Sequence, residues 1–179
     1  MLIDLSVREF VAAVASAETP VPAGGSVVAL SGACAAGLLA LVCEVTQRHQ
    51  PGALGEQHHA AERLKGLLLK LVDEDAAAYQ AFLATPRGSE DRQAAVNRVA
   101  ATPLAIGRAC VELIGLSRTI EADIRGPLLG DVRTARHLAQ AAVRTAVDLA
   151  EQNLTLIKDA SARRSLEAAI TSLRAALTE

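Results

Sequence analysis

The sequence predicts an all-α fold, an antiparallel helical bundle of about five to six helices. Apolar residues make up 51% of the 179-residue chain, yet aromatic residues make up only 2%. The apolar content is therefore carried by Ala, Leu, Val and Ile, of which Ala and Leu are the strongest helix formers. A β-sandwich or barrel would show more aromatic residues, more Thr and more frequent turns. The length is that of one domain, so residues 1–179 are expected to form a single domain.

The first two helices are predicted over about residues 6–15 and 25–48. Ser6 and Glu9 match a capping box at the start of the first helix, and the Pro-rich segment 19–22 ends it. The second helix carries small residues at every fourth position, so another helix or a ligand can approach its backbone closely. These residues form two neighbouring rows, Gly25, Ala29, Ala33 and Gly37 in one and Gly32, Ala36 and Ala40 in the next.

Four further helices are predicted over about residues 54–84, 90–116, 131–158 and 162–177. Ser89 is the expected N-cap of the fourth helix. Pro103 is expected to kink or split that helix near Ala101, because proline removes a backbone donor and clashes with the preceding turn. Gly126 and Pro127 lie in segment 117–130, which is expected to be irregular.

Composition excludes several function classes. The net charge is −2 and no basic cluster is present, so no nucleic-acid partner is expected. Residues 19–43 carry no charge and are long enough to span a membrane. They begin with Pro and Gly and have no flanking aromatic or basic residues, so a helix buried on nearly all sides, with a subunit interface as one option, is preferred to a membrane segment. No signal peptide is expected, and the location is predicted to be cytoplasmic.

The cysteines and histidines show no metal-binding or redox spacing. Cys34, Cys43 and Cys110 are interpreted as small buried apolar residues in a reducing compartment. No C-x-x-C or H-E-x-x-H pattern occurs, so no metal site is predicted.

Asp75 is the most informative polar residue, because it falls in an apolar row. It follows Leu71 by four residues and precedes Ala78 and Phe82 by three and seven, so it should face the core. A buried carboxylate is costly unless it is paired or used. Two interpretations remain open: Asp75 pairs with an Arg or lies at the bundle edge, or it belongs to a functional site.

Three other polar residues invite the same question. Asp131 and Asn153 lie in one apolar row of the fifth helix. Asp131 is a candidate site residue or only an acid favoured by the helix dipole. Asn153 is a candidate orienting residue or only sets the helix register. Tyr79 follows Asp75 by one turn and either contributes its hydroxyl to the site or packs in the core.

Gly24, Gly25 and Ser26 open the second helix after a Pro-rich segment. A glycine-rich helix start offers free N–H groups to an anionic group, so these residues are candidate substrate contacts. The alternative is a plain loop, with Ser26 as the N-cap. No G-K-[ST] follows, so a nucleotide-binding P-loop is not supported.

The motifs together resemble the formimidoyltetrahydrofolate cyclodeaminase and methenyltetrahydrofolate cyclohydrolase family. The similar segments follow in the family's order over nearly the whole chain. They are Val7–Arg8–Glu9–Phe10, Thr19 to Ser26, Val42 to Thr46, Asp75 to Tyr79, Thr102–Pro103–Leu104, Asp131, Ala141 to Arg144 and Asn153–Leu154. The sequence departs from the family where asparagines fall on Glu44, Arg125, Pro127 and Leu149.

The resemblance implies an enzyme that opens or closes the N5,N10-methenyl bridge of tetrahydrofolate, as a cyclohydrolase or as a cyclodeaminase of the ammonia-lyase type. It implies a homodimer, with no cofactor beyond the folate substrate. Asp75 and Asp131 would be catalytic, and Gly24, Gly25, Ser26, Tyr79 and Asn153 would bind substrate. The alternative is a diverged, non-catalytic module of the same fold, which either binds a small molecule or serves as a dimeric interaction module. The bifunctional relatives carry a separate formiminotransferase domain, for which this chain has no room.

Overall fold

The computed structural model describes residues 1–177, and over these residues the chain is helical with no strand. After a short 3₁₀ turn at Leu2–Asp4, six helices follow. They are α1 (Val7–Val14), α2 (Gly24–His49), α3 (Gly55–Ala84), α4 (Arg92–Asp123), α5 (Leu128–Leu154) and α6 (Ala160–Ala175). The predicted all-α bundle is confirmed.

The α1 helix begins as the sequence predicts. The Ser6 hydroxyl accepts the Glu9 backbone N–H at 3.3 Å, and Glu9 Oε2 accepts the Ser6 backbone N–H at 2.8 Å. These reciprocal bonds form a capping box. Phe10 anchors the helix in the core, whereas Val7 and Val11 remain exposed.

The α2 helix lies at the centre of the bundle and packs against α3, α4 and α5. Its small residues permit this, as Gly32 shows. A β-carbon there would lie 2.9 Å from Cys110 Sγ and 3.2 Å from the side chain of Leu68, closer than ordinary van der Waals contact. The prediction that helices approach the small-residue face closely is therefore confirmed at this position.

Two helices, α2 and α4, are long and apolar enough to cross a membrane by length and composition alone. In both, 61% of the most apolar stretch is buried inside the protein. Such burial is typical of core helices in a bundle, which pass the same test of length and composition.

Two features of α4 bear on its prediction. Of the kink or split expected at Pro103, the split does not occur, and the helix continues to Asp123 rather than ending near residue 116. The extension buries Ser117 and Ile120 against the bundle, and the strong helix breakers begin only at Gly126. The prediction of an irregular segment over 117–130 was therefore wrong for residues 117–123, and also for residues 128–130, which open α5.

Several smaller predictions were also wrong. Ser89 does not cap α4, because its hydroxyl donates to the Pro86 carbonyl at 3.0 Å. Ala23, not Ser26, is the N-cap of α2. Cys34 is exposed, although Cys43 and Cys110 are buried as predicted.

Candidate active site

A cavity of about 340 Å³ opens where the start of α2 meets the middle of α3 and the end of α5. It lies beside Pro103 of α4, and five of the seven predicted site residues line it. The lining residues are Pro20, Ala23, Gly24, Gly25, Asp75, Tyr79, Val99, Pro103, Leu149, Gln152 and Asn153.

Asp75 lines this cavity with its carboxyl group directed at the start of α2. The Ser26 hydroxyl donates to Asp75 Oδ2 at 2.9 Å, and Ser26 is fully buried. No ion pair of Asp75 is found within residues 1–177. The interpretation in which an Arg neutralises Asp75 is therefore not supported, and the carboxyl group faces a cavity.

Gly25 is required because the Asp75 carboxyl group occupies the space of a side chain. A β-carbon at Gly25 would lie 2.0 Å from Asp75 Oδ1 and 2.5 Å from its Cγ. The sequence predicted close approach of another helix or a ligand to this glycine backbone. The group that approaches Gly25 in the structure is the carboxyl group of Asp75.

Two opposing effects set the acidity of Asp75. Burial raises the pKa of its carboxyl group, and hydrogen bonding from the Ser26 hydroxyl and backbone opposes that rise without cancelling it. The first-turn N–H groups of α2 have no partner within the helix, and the helix dipole also favours a carboxylate there. A carboxyl group with a raised pKa in a cavity is suited to acid–base chemistry nearer to neutral pH than an exposed aspartate.

Tyr79 lines the cavity one helical turn beyond Asp75. Its ring stacks on that of Phe82, with centroids 6.2 Å apart and planes inclined by 22°. The side chain is 37% exposed, so it is not packed inside the core. Tyr79 thus forms a partly open wall of the cavity.

Asn153 has a structural bond as well as a place in the cavity wall. Its Nδ2 donates to the Val99 carbonyl at 3.1 Å. In a helix this carbonyl would accept the N–H of the residue four positions later, but that residue is Pro103, which has none. Asn153 therefore supplies the missing donor, which explains how α4 continues through its proline.

Asp131 does not reach this cavity within the same chain. It lies in the first turn of α5, whereas Leu149 and Asn153, which line the cavity, lie near the other end of that helix. The 22 residues from Asp131 to Asn153 span about 33 Å of helix. The two predicted catalytic carboxylates are therefore not brought together in one protomer.

The sequence reasoning missed two features of the cavity wall. Gln152 lines it from α5, and nothing in the local sequence distinguishes this glutamine from a surface residue. The link between Pro103 and Asn153 was also missed. A helix-interior proline is a signal that some distant donor must serve the Val99 carbonyl, but the sequence does not say which.

Of the four positions that depart from the resembled pattern, only Leu149 lines the cavity. Glu44 is exposed and pairs with Arg48 on α2. Arg125 and Pro127 lie in the connection between α4 and α5. Leu149 therefore makes one wall of the cavity apolar, and it is the departure with a direct bearing on chemistry there. Within residues 1–177, no cluster of three or more His, Cys, Asp or Glu side chains is placed to hold a metal ion.

Comparison with known proteins gives the family. The sequence profile of formiminotransferase-cyclodeaminase matches residues 6–172. The chain belongs to the formiminotransferase-cyclodeaminase family. Its role is therefore in one-carbon folate metabolism, as a folate cyclodeaminase-type domain.

A solved structure supports the fold independently. The chain is similar to the crystal structure of formiminotetrahydrofolate cyclodeaminase from Thermotoga maritima, with a TM-score of 0.89 and 22% sequence identity. The match covers 99% of this chain and 92% of the other. No curated protein sequence matches the chain at a significant level. At this identity the structural similarity shows the fold and leaves the reaction to be tested.

Proposed function

We propose that the chain is an enzyme that opens or closes the N5,N10-methenyl bridge of tetrahydrofolate, as a methenyltetrahydrofolate cyclohydrolase or a formimidoyltetrahydrofolate cyclodeaminase. The observation that carries the proposal is Asp75. Its carboxyl group lines a cavity, has a raised pKa and is held by a buried hydroxyl rather than by a cation. The family supplies the substrate class.

The Asp75 carboxylate suits a substrate whose one-carbon unit is an amidinium-like cation. In hydrolysis, water adds to the bridging carbon, one of its protons passes to the nitrogen whose bond to that carbon breaks, and the other proton is released. In cyclodeamination, N10 adds to the formimino carbon and gives its proton to the formimino nitrogen, which accepts a second proton and leaves as ammonia. Asp75 holds the cation or transfers the proton in either reaction.

The other cavity residues orient the substrate around this carboxyl group. Gly24 and Gly25 form a wall without side chains, and Ser26 acts through its hydrogen bond to Asp75. Tyr79 places a ring at the open side. Asn153 fixes the Val99 carbonyl and the local shape of the wall. We assign these residues to positioning and binding rather than to proton transfer.

Turnover of the two folates tests the proposal. Wild-type protein should convert methenyltetrahydrofolate or formimidoyltetrahydrofolate faster than the spontaneous reaction, followed by ultraviolet absorbance and ammonia release. Asp75→Asn should lower kcat at least a hundredfold, with an unchanged helical circular dichroism spectrum. Glu74→Gln is the matched control, because Glu74 is an exposed neighbour paired with Lys70. Full activity of Asp75→Asn would remove Asp75 from the mechanism.

A second candidate is a non-catalytic module of the same fold that binds a small molecule. Leu149 favours it, because it makes apolar a cavity position where the resembled family has an asparagine. Such a protein would show a ligand-induced rise in melting temperature without turnover. Turnover above the spontaneous rate would exclude this candidate.

We also propose that the chain works as a cytoplasmic homodimer. An apolar row on α2 is only partly covered by other helices, and its spacing of three, four and seven residues is typical of helix–helix contacts. The row comprises Val27, Cys34, Leu38, Leu41 and Val45, all exposed or only partly buried. Light scattering should give a dimer mass for wild type and a monomer mass for Leu41→Glu. A monomeric wild type would contradict the proposal.

A further inference from the structure

A second cavity of about 870 Å³ lies between the turn that joins α3 to α4 and the residues that follow α5. Its walls are both apolar and basic. Phe82, Leu83 and Leu156 provide apolar surface, and no acidic side chain of residues 1–177 lines it. Its basic residues are Arg87, Arg92 and Lys158. We call it the turn cleft.

The turn cleft adjoins the Asp75 cavity on three elements at once. On α3, Tyr79 of the first cavity is three residues before Phe82 of the second, and their rings stack. On α4, Val99 and Val96 are likewise three residues apart, as are Asn153 and Leu156 at the end of α5. Three residues span about 4.5 Å of helix, so the linings of the two cavities come within about one helical turn of each other on each element.

The basic residues of the turn cleft fall into two groups. Arg92 is already engaged, since it donates to the carbonyls of Phe82 and Thr85 at the end of α3, and its guanidinium lies 3.8 Å from the centre of the Phe82 ring. Arg87 and Lys158 are exposed, and neither makes a hydrogen bond or ion pair with any residue in 1–177. Two cations therefore remain available beside the exposed side chains of Leu83 and Leu156.

We propose that the turn cleft binds the carboxylate-bearing aromatic tail of the substrate, with its ring against Phe82, Leu83 and Leu156 and its carboxylates at Arg87 and Lys158. The inference rests on the proposed function. In a tetrahydrofolate the reacting N10 atom is bonded directly to a benzoyl ring that carries glutamate. A substrate that reacts at Asp75 must therefore extend an aromatic ring and then carboxylates away from that cavity, which is the order of surfaces found here.

Binding of a tail fragment tests the cleft without any turnover. p-Aminobenzoylglutamate is titrated into the full-length protein by calorimetry, with p-aminobenzamide as a probe that lacks carboxylates. Arg87→Glu/Lys158→Glu should weaken binding of the first probe about tenfold or more and leave the second unchanged. The control is Arg118→Glu, an exposed arginine 22 residues from Val96 on α4, about 33 Å away. The inference would be overturned if wild type did not bind p-aminobenzoylglutamate. It would also be overturned if wild type and the double variant bound this probe with equal affinity.

Kinetics then separates this inference from the proposed function. With an active enzyme, the double variant should raise KM about tenfold with kcat nearly unchanged, because the tail lies away from the reacting bonds. An unchanged KM would overturn the inference while leaving the function standing. A chain that turns over no folate but binds p-aminobenzoylglutamate through Arg87 and Lys158 would fail the function and support the cleft.

Discussion

The two ends of α5 both bury polar groups, and the structure treats them differently. Towards the N-terminal end, Arg136 donates to Ser117 Oγ at 2.9 Å and pairs with Glu121, which also accepts from Arg133 at 3.0 Å. At the C-terminal end, the Asp75 carboxyl group has a hydroxyl partner and no cation. A half-buried carboxylate paired with arginines stabilises helix packing. A carboxyl group left facing a cavity is available for chemistry.

The pKa directions follow the same division. Hydrogen bonds from Arg133 and then Arg136 hold the pKa of Glu121 below its ordinary value. Burial holds the pKa of Asp75 above its ordinary value. Glu121 therefore stabilises the fold when ionised, whereas ionisation of Asp75 is disfavoured by the fold.

The largest effect after loss of Asp75 itself is expected at Gly25. Gly25→Ala places a β-carbon on the Asp75 carboxyl group, so the carboxyl group must move and kcat/KM should fall at least tenfold. Steady-state kinetics with both folates measures this. The control is Gly115→Ala, which meets nothing within 4 Å and should stabilise α4 by up to about 1 kcal/mol. Equal activity of the two variants would contradict the assigned geometry.

The Asn153–Val99 bond should affect stability more than chemistry. Asn153→Ala leaves the Val99 carbonyl without its donor and should cost about 1–3 kcal/mol in urea unfolding. Pro103→Ala restores a backbone N–H that can serve this carbonyl. In that background Asn153→Ala should cost at least about 1 kcal/mol less. An identical cost in both backgrounds would show that Asn153 does not compensate for the proline.

Glu121→Gln should weaken the fold without affecting turnover. Its lowered pKa means that the stabilisation is present at neutral pH and is lost as pH falls through the lowered folded-state pKa. Urea midpoints at pH 7 and at pH 3 measure the difference between variant and wild type. Glu112→Gln is the control, because its pair with Arg63 is exposed and contributes little. A larger loss of stability in Glu112→Gln than in Glu121→Gln would contradict the role assigned to Glu121.

The smallest effect is expected from Ser26→Ala. Removing the hydroxyl removes a bond that lowers the pKa of Asp75, so that pKa should rise further. If the ionised carboxylate holds the cation, the acid limb of the kcat/KM profile moves to higher pH. Ser31→Ala is the control, because Ser31 donates to the Val27 carbonyl of its own helix. A shift to lower pH would contradict the assigned bond.

Local signals predicted much of the fold. Three confirmed features depend only on residues that are close together in the sequence. They are the Ser6–Glu9 capping box, the Pro-rich break after α1 and the small-residue face of α2. The end of α4 was missed because Gly126 and Pro127 made a longer segment look irregular. Burial of Ser117 and Ile120 against other helices is a tertiary effect that outweighs local propensity.

The site was predictable only in part, for the same reason. The spacing alone predicted that Asp75 faces inward, because Leu71 and Phe82 of the same helix define the apolar row in which it lies. Its partner Ser26 lies 49 residues away and Asn153 serves a carbonyl 54 residues away. Contacts at such separations are fixed by helix packing. The sequence therefore indicated which residues are unusual but not which of them lie together. It grouped Asp131 with the other site residues, whereas the fold places Asp131 far from them within one chain.

We propose that Asp75 serves the reaction and lowers the free energy of unfolding of the protein. Turnover and free energy of unfolding, measured together on Asp75→Asn at pH 7, test it most directly. Because the raised pKa makes the ionised group unfavourable in the folded state, the variant should be at least as stable as wild type while losing turnover at least a hundredfold. A variant that keeps its turnover and unfolds at lower urea would contradict the account.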